Sequence, residues 1–219
     1  MKRLRIAAAT ALLADVLLSL LTWARTPAVM PVHWNFQGVA DRFGSRWELA
    51  LLIPAVIVVS WLLFEALPKL DPRFAGEPHP EQTERDRFGG LAAVAGLIFA
   101  LLVGLHALAL GQALGLLQEP QRLHALLLSA FLLVFGNFIG RLRPSWFVGI
   151  RTPWTLSNDE VWRRTHRLAG RLMVPAGLLG LIGALVLPPQ AAFQAALVLL
   201  IGGLLVPAAL SWAFFRQAR

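Results

Sequence analysis

The sequence predicts an all-α, polytopic membrane protein with six transmembrane helices and both termini in the cytoplasm. Three observations carry that prediction. First, 57% of the 219 residues are hydrophobic and 15% charged, where a soluble domain has about 45–50% apolar and about 25% charged residues. Second, the apolar residues gather into six runs, each of roughly twenty residues, the length that crosses a bilayer as a helix. Third, the basic residues collect in the loops on one side of those runs. Mean hydropathy is +0.65, more apolar surface than one water-soluble core of this size could bury. A soluble globular domain and a disordered chain are excluded. With no cysteine, disulfides and thiolate metal sites are excluded too. The formal net charge of +8 would suggest nucleic acid in a soluble chain. Here it lies in loops beside apolar spans, so the expected partner is the lipid bilayer and no direct nucleic-acid binding is expected.

The spans are read at residues 4–24, 49–67, 89–112, 123–139, 168–187 and 191–215. A backbone in lipid must satisfy its own polar groups, so these runs are helices. None alternates as a barrel strand would. The basic head Lys2, Arg3 and Arg5 before the first run resembles a signal peptide. Asp15 interrupts the run, however, and Thr22-Trp23-Ala24 is a poor cleavage site, so an uncleaved helix is expected. With the N-terminus inside, sixteen of the twenty Lys and Arg residues fall on the cytoplasmic side. Arg25, Arg42, Arg46 and Arg122 fall outside, a strong positive-inside signal. Two modules follow: residues 1–112 with three spans, and 113–219 with three more.

Two outer connections, 115–121 and 188–190, are short turns. The inner loop 68–88 carries Pro68, Pro72, Pro78 and Pro80 and reads as a flexible linker with solvated charges. The other two loops are long and compositionally specific, which marks them for function.

In the outer loop, 25–48, Pro31, His33, Trp34, Asn35, Gly38, Asp41 and Gly44 lie within fourteen positions. Gly38 and Gly44 suit turns of positive φ, Asn35 and Asp41 can bond the backbone there, and Trp34 and Trp47 suit the headgroup level. One reading is a structured cap. The other makes His33 and Asp41, with Asn35, a ligand or metal site. One histidine and one carboxylate are too few to name a metal, so no metal or cofactor is assigned.

The cytoplasmic loop, 141–167, is broken by Arg143-Pro144 and Thr152-Pro153. Ser157 and Glu160 fit a capping box, with Ser157 as N-cap of the fifth helix. Val161, Trp162, Thr165, His166 and Ala169 then fall at helical spacing. Trp146, Trp154 and Trp162 suit the interface, with arginines reaching phosphates. This loop reads either as an interfacial re-entry segment or as a docking surface for a cytoplasmic partner or lipid head group. His166 has no nucleophile beside it, so no catalytic residue is assigned. Arg151 is the expected contact for an acidic partner group or a phosphate, because its guanidinium can make two parallel hydrogen bonds.

Within the spans, Asp15 and His106 are ionisable residues in lipid, which usually face the bundle interior. They read as part of an ion path or as a structural hydrogen-bonded pair. Gly136-x-x-x-Gly140 and Gly111-x-x-x-Gly115 permit close helix contact, and Asn137 beside Gly136 can bond across helices. Pro54, Pro175 and Pro207 should kink their spans.

The run from Gly149 to Arg167, G-I-R-T-P-W-T-L-S-N-D-E-V-W-R-R-T-H-R, with Gly136-Asn137 before it and Gly170 after it, resembles the signature of the SdpI family. The segment P-V-H-W-N-F-Q-G-V-A-D from Pro31 to Asp41 resembles the module that often precedes that signature. Ser145 departs from the pattern, which often has Asn there. The resemblance implies a multi-pass protein of the bacterial inner membrane, giving immunity to a secreted antimicrobial peptide toxin. It also implies signalling that holds a transcriptional repressor at the membrane. The expectation is therefore a non-enzymatic immunity or sensor protein. Its outer contacts would be His33, Trp34, Asn35 and Asp41. Its remaining contacts would be Asn137, Arg151, Trp154, Asn158, Trp162, His166 and Arg167. The alternative is a small transporter or channel-like protein using Asp15 and His106.

Overall fold

A computed structural model describes residues 1–73 and 84–218. The chain order is α1 (Lys2–Thr22), β1 (Val29–Trp34), β2 (Ala40–Ser45), α2 (Arg46–Leu70), α3 (Glu84–Ala113), α4 (Pro120–Ile139), α5 (Pro153–Ser157), α6 (Asp159–Val186) and α7 (Pro189–Gln217). All but α5 among these helices are long and apolar enough to cross a membrane, α3 from Gly90 onward. The fold is that of an all-α polytopic membrane protein. Residues 74–83 of the expected linker 68–88 lie outside the described residues; its ends are helical, 68–70 in α2, which runs through Pro68, and 84–88 in α3.

Apolar side chains fill the core and also cover the outside, unlike those of a soluble protein. Leu13, Leu20, Leu21, Leu62, Leu63, Leu179, Ile182, Leu185 and Leu205 are more than half exposed, an apolar jacket suited to lipid tails. Small residues occupy the contacts between helices, because without a hydrophobic drive in lipid the helices must gain from close packing. Helices α1, α2 and α3 pack on one another, as do α4, α6 and α7, and α3 against α4 joins the two groups.

The tightest seam is α4 on α6. A Cβ on Gly136 would lie 2.8 Å from the Cβ of Met173 and 2.9 Å from the backbone nitrogen of Val174. A Cβ on Gly170 would lie 2.8 Å from the carbonyl oxygen of Gly136, and one on Gly177 would lie 2.5 Å from the nitrogen of Leu133. These are backbone atoms that cannot step aside. The predicted G-x-x-x-G contact at Gly136 and Gly140 is therefore real, with glycines on the facing helix that sequence spacing did not single out. Asn137, by contrast, is exposed. Its side chain makes no hydrogen bond to any described residue, because Gly136 turned inward turns its neighbour out.

The outer loop contains an element the helical reading did not anticipate. Strands β1 and β2 form an antiparallel hairpin pairing Val29 with Ser45, Met30 with Gly44 and Trp34 with Ala40, with irregular register around His33. Met30 is buried against Leu49, Ala109 and Leu110, which holds the hairpin on α2 and α3.

The seam generates a sharp contrast. Gly177→Leu is expected to abolish the folded, monodisperse protein in detergent. Gly202→Leu, whose added Cβ meets nothing within 4 Å, is expected to leave the melting temperature within a few degrees. Size-exclusion chromatography with a thermal melt reads both.

Candidate functional site

The hairpin closes one end of the bundle; the N-terminus, the 141–158 segment and the C-terminus lie at the other. Its turn is built by Asn35 and Gly38. The Asn35 side-chain oxygen accepts hydrogen bonds from the nitrogens of Gln37 and Val39, at 3.0 and 3.1 Å. Gly38 has φ +71°, a conformation in which a side chain is strained. A Cβ there would also strike Gln121 and Phe193. Gln121 donates to the Gly38 carbonyl at 3.2 Å, so the turn rests on α4 and α7 while its strands rest on α2 and α3. Gly44 differs from expectation. It lies in β2 with no positive φ, and its missing side chain makes room for Glu48 and Val32.

Within the hairpin, His33 Nδ1 and Asp41 Oδ1 are 2.6 Å apart. Both side chains are largely exposed, so this pair contributes little to stability. Asp41 thus holds a side chain rather than the turn backbone. Among the described residues no three His, Asp or Glu gather as a metal site. Trp34 points inward and donates from Nε1 to Gln112 at 3.0 Å. Arg46 donates to the carbonyls of Trp23 and Thr26 at 3.2 and 3.1 Å and lies over the Trp23 ring. It fixes the start of α2 to the end of α1.

Beneath the hairpin is a cavity of about 360 Å³, between the two helix groups. His33, Trp34, Gln112, Gln121, His106 and His124 supply its polar atoms, and the remaining wall is apolar. His106 Nδ1 and Asp15 Oδ1 form a fully buried contact of 2.7 Å. The two intramembrane residues are therefore partners, joining α1 to α3.

At the opposite end, the 141–158 segment is tied down by groups not expected from the sequence. Asp71, fully buried at the end of α2, accepts from Ser145 Oγ at 2.7 Å, from the nitrogen of Trp146 at 2.8 Å and from that of Arg73 at 2.9 Å. Ser145 Oγ in turn accepts from the nitrogens of Phe147 and Val148. Arg73 donates to Asp159 and to the Leu156 carbonyl. In sequence, Asp71 stood among the charges of a linker, and nothing marked it as buried.

Trp162 and His166 are buried, which corrects the placement of Trp162 at the interface. The indole donates to the Leu142 carbonyl at 3.0 Å and stacks on His166 at 4.0 Å. His166 Nδ1 donates to the Trp162 carbonyl, so Nε2 accepts the Ile150 N–H at 2.9 Å. Gly149, at φ +127°, lets the chain pass. A Cβ there would fall 2.6 Å from both His166 Nε2 and the Trp162 ring. These residues lock the segment and are not a contact surface.

The helix cap is also corrected. Ser157 is the last residue of α5, and its hydroxyl donates to the Trp154 carbonyl. Asn158 caps α6, accepting from the nitrogens of Glu160 and Val161. The capping box belongs to α5, through Thr152 and Thr155. Trp154 donates to Ser211 and packs on Trp212, which attaches α5 to α7. Arg151 and Arg167 remain exposed, as do Trp146 and Phe147. Arg151 donates to the Trp146 carbonyl at 3.3 Å.

Against this geometry stand the known proteins. Residues 141–213 match the SdpI/YfhL protein family. The match begins at the segment locked by Asp71 and His166 and runs through α6 into α7. Residues 10–58 match a domain of unknown function, DUF1648, covering most of α1, the hairpin and the first half of α2. Over 164 residues, 74% of this chain and 72% of the relative, the sequence is 24% identical to the immunity protein SdpI of Bacillus subtilis (strain 168). No solved structure matches.

Replacing Asn158 by Ala is expected to cost about 0.5–2 kcal/mol through the lost cap, and Ser157→Ala clearly less. Asp71→Ala strands buried donors at about 1–3 kcal/mol each. It should open 141–158 to limited proteolysis before the bundle melts. Thermal denaturation and a protease time course measure the three.

Proposed function

We propose that this chain is an SdpI-like immunity protein of the bacterial inner membrane. In this reading it protects against, or senses, an antimicrobial peptide toxin or envelope signal. The observation that carries the reading is the similarity to the immunity protein SdpI over three quarters of the chain. The two modules, 1–112 and 113–219, divide the work. The hairpin end, with His33, Trp34, Asn35 and Asp41, faces the outside and meets the signal. The 141–167 segment faces the cytoplasm and passes the state to a partner such as a transcriptional repressor. The charge asymmetry supports this orientation, with sixteen basic residues assigned to the cytoplasmic side. No step calls for catalysis. A second reading, a small transporter or channel-like protein, draws on the buried Asp15–His106 pair, since ionisable groups in membranes often mark ion paths. Proteoliposome flux separates the two.

Since the chain lacks cysteine, topology is directly testable. A cysteine at Val39, which is exposed, should react with an impermeant maleimide added to intact spheroplasts. One at exposed Ser157 should react only after lysis. Reversal of the two patterns would overturn the orientation.

Expression in a host lacking the gene should raise survival on challenge with secreted peptide toxins. Equal survival with and without the chain would count against immunity. Arg151 is the expected output contact. Lys cannot reproduce the paired guanidinium hydrogen bonds, so Arg151→Lys should weaken the response several-fold at equal membrane abundance. A full response would place the output elsewhere.

A further inference from the structure

We propose that the cavity beneath the hairpin binds a peptide segment, which inserts an apolar side chain between the helix groups and presents its amide to His106 and His124. This rests on the reading that a peptide acts at the hairpin end. It adds the place and the atoms that would hold it.

The argument begins at the buried pair. His106 and Asp15 are at most 1% exposed, in the apolar middle of the helices, where a pair with net charge is strongly disfavoured. Three arrangements of the Nδ1···Oδ1 contact carry no net charge. A carboxylate can face an imidazolium, a carboxylic acid can donate to an unprotonated Nδ1, or Nδ1–H can donate to the carbonyl oxygen of an acid protonated on Oδ2. The third strands the acid hydrogen, because Oδ2 is buried with no partner among the described residues; the other two leave a hydrogen on Nε2. That atom is buried and has no hydrogen-bond partner among the described residues. His106 lines the cavity and Asp15 does not, so the donor lies on the cavity side of the pair, just beneath the wall, where a small turn of the ring brings it to an occupant.

His124 contributes the complementary group. Its Nδ1 lies 2.7 Å from the Pro120 carbonyl oxygen. A carbonyl only accepts, so the ring hydrogen sits on Nδ1 and leaves Nε2 of the neutral ring as an acceptor. No described residue bonds that nitrogen. The ring is held between Trp34 and Phe193, at centroid distances of 5.8 and 6.0 Å.

Among the polar groups of the lining, the His106 donor and the His124 acceptor together match an amide, which offers both. A lipid ester offers acceptors alone and a hydrocarbon neither. Leu49, Ile53, Leu105, Leu128 and Leu197 form walls for aliphatic side chains. About 360 Å³ lies within the range of ligand cavities, about 300–1,000 Å³, and suits one or two residues. His33 and Gly38 of the hairpin border the same cavity, which places the hairpin at its mouth.

The test uses the full chain in phospholipid nanodiscs. N-acetyl-Leu-Leu-amide is titrated calorimetrically beside isoamyl isovalerate, an apolar ester without N–H. The amide should bind saturably and at least tenfold more tightly than the ester. Leu197→Trp, which fills the cavity and leaves the histidines in place, should abolish binding. The double variant Asp15→Leu, His106→Phe removes both partners together and strands neither. It should weaken binding at least tenfold. If it fails to fold, ¹⁵N-histidine NMR of the unaltered chain decides: the His106 Nε2 signal should move as the probe saturates.

Absence of saturable amide binding overturns the proposal. So does unchanged binding in Leu197→Trp or in the folded double variant, or an unmoved His106 signal. Ester binding as tight as the amide assigns the cavity to lipid and overturns it as well. Protection in cells is scored separately. Protection that survives Leu197→Trp overturns the cavity as the toxin site and leaves the immunity reading standing. Lack of protection by the unaltered chain overturns the immunity reading, and the titration alone then decides the cavity.

Discussion

The contact on which the rest of the structure depends is the backbone approach of α4 to α6. Where Gly136 meets Val174, and Gly177 meets Leu133, one helix lies against the other with no side chain between them. In lipid, burial of apolar surface gives helices no reason to prefer each other over acyl chains; close van der Waals contact does. Fixing α6 against α4 fixes both ends of the protein. At one end it carries Trp162 and His166 to the 141–158 segment. At the other, Gly180 packs on Ser129, and α4 beyond it presents Gln121 and His124 to the hairpin. A shift along this seam would move both ends together.

The ends are then fastened by a few polar groups whose geometry leaves little freedom. Asp71 and Ser145 gather successive backbone donors of a segment that has no ladder of its own. His166 holds the same segment from the opposite side, at Ile150. A buried backbone nitrogen left unpaired is costly, so each fastening also decides which conformation the segment can adopt. Ser145 keeps a short side chain that both donates and accepts. It occupies the junction where α2 and the segment meet.

The spans were legible because a bilayer imposes a length and excludes charge, and both leave marks in one dimension. The helical face Val161, Trp162, Thr165, His166 and Ala169 was legible for a similar reason: helical spacing is local, and all five are buried. The hairpin left no such mark. Pro31 interrupts β1, and β2, A-D-R-F-G-S, has no β-branched residue, so its pairing comes from packing Met30 against α2 and α3. The cap slipped by one residue because Ser157 and Asn158 are both good caps. The presence of α5, which takes Ser157 as its last residue, decides between them. The roles of Asp71 and Gly177 were invisible for a deeper reason, since they exist only across distances of many tens of residues; Gly170 stood out only through the family resemblance.

The same distinction bears on the polar residues at the hairpin end. His33 and Asp41 drew attention in sequence because they stand close together amid turn residues, yet they form a solvated surface pair. His106 and His124 lie 18 residues apart on separate helices, and only the packing of α3 on α4 brings them to one cavity. The residues 10–58 supply its roof and part of its wall, and α7, within the segment matched to the SdpI/YfhL family, supplies Phe193 and Leu197. A cavity composed from both matched segments depends on their relative position, so an occupant would bias the α3–α4 contact. That contact joins the helix group bearing the hairpin to the group bearing the 141–158 segment, and gives events at one end a physical route to the other.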